Sequence, residues 1–136
     1  MTTPKVIFIP VKDSNAKRQA LVIMAQRFFS NKMRVLFSVA NDEVARYVDE
    51  LLWKSPSESF LPHAIIMRPS PEPIGITTLL ENLNEATVLF NLRPEANPLA
   101  LQFAFTYDLF DTTQPDKLAL SQRRKEAYVQ QGFLVS

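Results

Sequence analysis

Few side chains in this sequence have types and spacing suited to chemistry. His63 is the single imidazole, and no serine or aspartate stands around it in a known triad arrangement. Set in a loop beside Pro62, it reads as a hydrogen-bonded structural residue. Carboxylates occur in pairs at Asp42/Glu43, Asp49/Glu50 and Asp108/Asp111. The first four suit the solvated side of a helix, while Asp108 and Asp111 end a strand and could hold a cation. With no cysteine and one histidine, neither a disulfide framework nor a metal site built on those ligands can be written. Two glycines, Gly75 and Gly132, are too few for a P-loop or a dinucleotide fingerprint. No catalytic residue, metal or cofactor is expected.

Two other groupings suit binding. Trp53 and Phe60 flank a polar Ser/Glu run bounded by Pro56 and Pro62, which stiffen it and restrict Ser55 and Leu61 before them. Two large rings on a stiffened loop can anchor a partner, or can plug the underside of the domain. Near the carboxyl end, Arg123, Arg124 and Lys125 are consecutive and fan across ~200° of a helix. At least one must therefore lie at the packing edge with its stem buried. Together with Tyr128 and Phe133 they suggest a basic rim around an aromatic pocket, fit for an acidic peptide with an apolar tip. A solvated basic helix is the plainer reading. Direct nucleic-acid binding is diluted by Asp116 and Glu126, and the net charge of +1 supplies no global field.

The elements that position these groups follow from hydrophobic period. The runs 6–11, 34–39, 64–67 and 86–92 read as short apolar strands, and 103–110 as a last strand with apolar residues at alternate positions. Asp13 or Ser14 caps a helix over 16–31, with Ala20, Ile23, Met24, Arg27 and Phe28 near one stripe. Asn41 caps a second over 42–54, whose buried face is Val44, Tyr47, Val48, Leu51 and Leu52, with Trp53 at its margin. The stretch 68–75, rich in proline, reads as a loop, and 76–84 as a helical turn or an edge strand. A short helix over 95–102 and a closing helix from Pro115 to about 131 complete the chain, with Gly132 as its stop. Strands alternating with helices predict a single three-layer α/β/α domain over 1–136 with a largely parallel sheet.

At 136 residues with 46% apolar and 21% charged side chains, the composition is that of a soluble globular domain. The longest apolar run, 20–25, is far too short to span a bilayer. The amino end shows no signal-peptide pattern. A cytoplasmic protein is expected.

The segments Asp49-Glu50-Leu51-Leu52-Trp53 and Pro56-Ser57-Glu58-Ser59-Phe60-Leu61-Pro62-His63 resemble the chi-subunit family of bacterial DNA polymerase III. Weaker agreement extends along most of the chain, though 68–85 has no convincing counterpart. The resemblance implies a nucleotide-binding-like fold without the phosphate loop, and a non-catalytic accessory subunit of the clamp loader in DNA replication. It implies two partners: the psi subunit and the acidic, phenylalanine-ended tail of single-stranded DNA-binding protein. Nucleic acid would be met mainly indirectly, no membrane is involved, and the chain would be a monomer or half of a heterodimer. Trp53, Pro56, Phe60, Leu61 and Pro62 are the implied psi-facing residues. The ending Lys125-Glu126-Ala127-Tyr128-Val129-Gln130-Gln131-Gly132-Phe133 matches the tail-binding side, which implies Tyr128, Gly132 and Phe133. Where relatives carry an aromatic and a basic residue in the preceding turns, this chain has Lys125 and Gln122. Arg123, Arg124 and Lys125 are the nearby substitutes. Two other readings are a chi-like module docking a helicase or repair protein through the same loop, and a small nucleotide-dependent enzyme.

Overall fold

The computed structural model describes residues 3–54 and 61–136. Its strands are β1 (Lys5–Val11), β2 (Val35–Ser38), β3 (His63–Ile65), β4 (Ile74–Thr77), β5 (Val88–Asn91), β6 (Phe105–Asp111) and β7 (Leu134–Val135). The helices are α1 (Ser14–Ser30), α2 (Asp42–Lys54) and α3 (Pro115–Gln130), with a 3-10 helix at Pro98–Gln102. The strands form one sheet in the order β3-β4-β2-β5-β6-β1-β7. Every neighbouring pair runs parallel. No helix among the described residues is long and apolar enough to cross a membrane.

A parallel sheet needs cover on both faces, so its central strands are apolar throughout. β2, β4 and β5 are buried at every position. Val35, Phe37, Val88 and Phe90 point to the side of α1 and α2, while Leu36 and Leu89 point to the side of α3. Phe37 and Phe90 stack across the β2–β5 pair with centroids 5.2 Å apart. Three layers result, as the alternation of strands and helices predicts.

Local signals set the helix ends. The Asp13 carboxylate accepts the Ala16 N–H at 2.7 Å, and Asn41 Oδ1 accepts the Val44 N–H at 3.0 Å. α3 ends where the Gly132 N–H reaches Val129 O and the Phe133 N–H reaches Tyr128 O, both at 3.1 Å. Gly132 takes φ +91, and the Tyr128 and Phe133 rings meet edge-on at 5.3 Å. Together these are the hydrogen bonds, the left-handed residue and the apolar contact of a Schellman stop.

Tertiary packing overrode several expectations. The inner stripe of α1 is Leu21, Met24, Ala25 and Phe28, with Ile23 about half exposed. On α2 the innermost residues are Ala45, Val48 and Leu52, and Tyr47 faces outward. β6 starts at Phe105, itself exposed, and Phe103 is buried just outside it. β4 straddles the expected 68–75 loop and the stretch 76–84 read as a helical turn or an edge strand; it is a strand, but one inside the sheet between β3 and β2. Gly75 lies in it because a Cβ there would come within 2.7 Å of Ile66 Cδ1 and 3.1 Å of Asn84 Nδ2. That amide nitrogen donates to Val35 O and Glu72 O, which ties the following loop across the sheet. β7 is a two-residue edge that had no sequence signal of its own.

Candidate functional site

At the corner where α2 meets β3, the Trp53 ring rests on His63, with centroids 4.8 Å apart. His63 is buried. Its Nδ1 lies 2.6 Å from Leu61 O, and its Nε2 3.1 Å from Asp49 O and 3.3 Å from Asp49 Oδ1. Both ring nitrogens thus face oxygens of the protein, which is the structural role expected of it. The buried imidazole fixes one face of an indole that is 57% exposed. Of the other residues expected here, Pro62 is half-buried and the Leu61 side chain is core. Leu61 therefore anchors the chain beside the corner. Pro56 and Phe60 lie outside the described residues.

α3 is built the opposite way. Arg123 and Lys125 are exposed, whereas Arg124 is buried under the helix, as one of three consecutive cations had to be. Its Nε donates to Asp108 Oδ1 at 3.2 Å, its Nη1 to Pro94 O at 3.2 Å, and its Nη2 to Leu109 O at 2.9 Å and Ser121 Oγ at 3.1 Å. Four of its five N–H donors are thus engaged within the protein. Asp108 Oδ2 accepts from Asn91 Nδ2 at 3.0 Å. Burial pushes the Asp108 carboxyl up to about 6, against the pull of Arg124 and Asn91.

The network continues to Asn97, whose Nδ2 donates to Ser38 Oγ at 2.8 Å and Asn91 Oδ1 at 3.1 Å. The Asn97 N–H donates to Tyr128 Oη at 2.9 Å. Tyr128 has no exposed surface, and burial raises its phenol well above the ordinary range. Phe133 is 6% exposed. The open aromatic pocket expected from Tyr128 and Phe133 is therefore replaced by a closed cluster, in which Phe8 also meets Tyr128 at 6.1 Å. Lys125 Nζ stands 5.7 Å over the Phe110 ring beside it.

The Asp108/Asp111 pair does not converge on a cation. Asp108 belongs to Arg124, and Asp111 Oδ2 meets Lys17 Nζ at 3.3 Å. Burial acts to raise Asp111, but the Thr113 hydroxyl and amide together with Lys17 outweigh it and hold the carboxyl below its usual value. Among the described residues no group of three acidic, histidine or cysteine side chains could hold a metal ion.

Sequence reasoning missed the polar layer of Ser38, Asn91, Asn97 and Ser121. The signal was present in α3, whose inner face had too few apolar residues to be filled by them alone. Ser121, Arg124 and Tyr128 recur at helical spacing and are its buried residues.

Above this layer lies a crevice of about 520 Å³ over the carboxyl ends of β2, β5 and β6. Leu21 of α1, Val44 and Tyr47 of α2, Leu92, Leu109 and Leu120 of α3 give it apolar walls. Lys17, Arg93 and Lys117 stand around it with Glu43 and Asp111. The helices after β1 and β2 lie on one face of the sheet and the helix after β6 on the other. Such a reversal opens a cleft at the carboxyl edge in open α/β sheets.

Residues 3–136 match the family described as DNA polymerase III chi subunit, HolC. The match includes 68–85, where sequence inspection found no counterpart. A curated relative, DNA polymerase III subunit chi of Pseudomonas aeruginosa, is 23% identical over 133 residues, covering 98% of this chain and 93% of its own length.

Proposed function

The chain belongs to the DNA polymerase III chi subunit family, and from that premise we propose that it is a non-catalytic adaptor of the clamp loader in the replicating cytoplasm. One end docks the psi subunit, and the α3 side captures the acidic tail of single-stranded DNA-binding protein. The observation that carries the reading is the Trp53 corner. A tryptophan 57% exposed yet braced by a buried histidine is a preorganised anchor, and such rings dominate interface energies. Trp53 and Pro62, with Pro56 and Phe60 between them in sequence, form the psi-facing set, and Leu61 roots it in the core.

On the α3 side the exposed Arg123 and Lys125 offer charge. Arg124, Tyr128, Gly132 and Phe133 hold the helix and its stop in place. A weak contact to a tail present in many copies on coated DNA raises the local concentration of polymerase there without a tight individual bond.

The test is calorimetric titration of this protein with the psi subunit. Trp53→Ala and Phe60→Ala are each expected to weaken binding by ~2 kcal/mol or more. Unchanged affinity in both variants would remove this corner from the psi interface.

A further inference from the structure

Both proposed protein contacts leave the crevice over the carboxyl ends of β2, β5 and β6 unused. Its volume of about 520 Å³ lies in the range of small-ligand pockets. Leu21, Val44 and Leu120 give it apolar walls, and the exposed Tyr47 of α2 brings a ring to it. Its floor is polar, because the buried Asn91, Asp108 and Arg124 also line it. A guanidinium has five N–H donors, and four of those on Arg124 are engaged. The fifth belongs to a side chain more than nine-tenths buried and has no acceptor among the described residues.

Most charges around the crevice cancel in pairs. Arg124 holds Asp108 at 3.2 Å, Lys17 holds Asp111 at 3.3 Å, and Arg93 reaches Glu95 at 3.3 Å. Two charges that line it do not cancel. Among the described residues, the side chains of Lys117 and Glu43 make no ion pair or hydrogen bond. Lys117 lies in the first turn of α3 and Glu43 in the first turn of α2, on opposite faces of the sheet. The crevice is thus a slot with a free cation on one wall, a free carboxylate on the other, and apolar, ring-bearing surface between them.

We propose that this slot binds a nucleoside monophosphate, with guanine as the preferred base. Inorganic phosphate would satisfy Lys117 alone. A ligand that is anionic at one end, flat and apolar in the middle, and rich in N–H donors at the other uses every part. The phosphate meets Lys117 in a charge-assisted contact. The ribose lies over the floor, where a hydroxyl accepts the fifth N–H of Arg124. The base enters between the apolar walls and stacks on Tyr47. Guanine presents neighbouring N–H donors at N1 and N2, which match the two oxygens of the Glu43 carboxylate. The chain's two glycines allow no loop of backbone amides around a phosphate chain. One lysine therefore holds one phosphate, and a triphosphate gains nothing. None of this depends on the psi or tail contact.

NMR titration of the full chain with GMP, AMP, guanosine and inorganic phosphate tests the assignment. GMP is expected to shift the backbone amides in the first turns of α2 and α3. Guanosine and inorganic phosphate should each bind more weakly than GMP by about tenfold or more. Lys117→Ala should bring GMP down to the affinity of guanosine while leaving guanosine itself unchanged, which a merely structural lysine would not do. Glu43→Gln should erase the preference for GMP over AMP and leave AMP binding little changed. No shift with either nucleotide at millimolar concentration overturns the proposal. Equal binding of inorganic phosphate and GMP overturns it too, since the crevice is then a simple anion site. Equal binding of GMP and AMP to the unaltered chain removes guanine and Glu43 from it. These ligand comparisons use the unaltered protein, so they decide the matter even where a variant fails to fold.

Discussion

Trp53 and Tyr128 are both large aromatics near the end of a helix, close in sequence to basic residues, yet they are used in opposite ways. Trp53 stands ~100° beyond Leu52 on its helix and is pushed out to the edge of the packed face, where His63 braces it from below. Tyr128 lies one turn after Arg124 and two after Ser121, on the innermost line of α3, and is sealed. Position around the helix, more than residue type, decided which ring became surface and which became structure.

If that contrast is right, damage to the sealed region costs stability, and damage to the displayed one costs only binding. The largest loss is expected for Arg124→Met, which leaves Asp108 buried without its cation. Urea denaturation should show ~3 kcal/mol or more. A pH series comes next. Asp108 ordinarily titrates near 3.8 and is raised to about 6 in the fold, chiefly by burial. A carboxyl raised by folding favours the fold while protonated, so this contribution is complete below about 3.8 and fades as pH climbs through about 6. Asp108→Asn has no such dependence. The melting temperature of the wild type should therefore fall relative to the variant between about pH 4 and 6 and level off above that.

Tyr128→Phe removes the acceptor of the buried Asn97 N–H and should cost ~1–3 kcal/mol in the same denaturation assay. Gly132→Ala meets no neighbour within 4 Å. Its cost is the left-handed backbone alone, ~1 kcal/mol by thermal melting. Trp53→Ala sets the other pole, with less than ~1 kcal/mol of stability lost, since surface changes are mild. A stability loss comparable to that of Arg124→Met would show that Trp53 is structural and erase the contrast.

The parts legible in the sequence are the local ones. Asp13, Asn41 and Gly132 declare helix ends through bonds made within a few residues. The runs at β1, β2 and β5 declare strands because burial on both faces makes them apolar throughout. What depended on distant partners was hidden. The first half of β4 looked like a loop because Gly75 answers to the crowding of Ile66 and Asn84. Asp108 and Asp111 looked like an open pair because Arg124 and Lys17 reach them from 16 and 94 residues away. Tyr128 belonged to a recognisable motif, but the motif reads equally as a surface and as a helix stop, and only the Asn97 bond and the Schellman geometry separate the two. The crevice had no motif, because residues from α1, α2, α3 and the ends of three strands enclose it together.

The strand order has a mechanical consequence. Trp53 rests on His63 of β3, the outermost strand on one side, whereas α3 is tied to β6, four strands farther in. A molecule pulled between partners at these two places is loaded across its strands, and the ladders from β3 to β6 share that tension with the packing of α2 on β4 and α1. Peeling opens such ladders one bond at a time, unlike shearing along the strands. The three-residue ladder between β3 and β4 is the first link to yield. Under force, the protein would let go by fraying at that edge while the network under α3 stays whole.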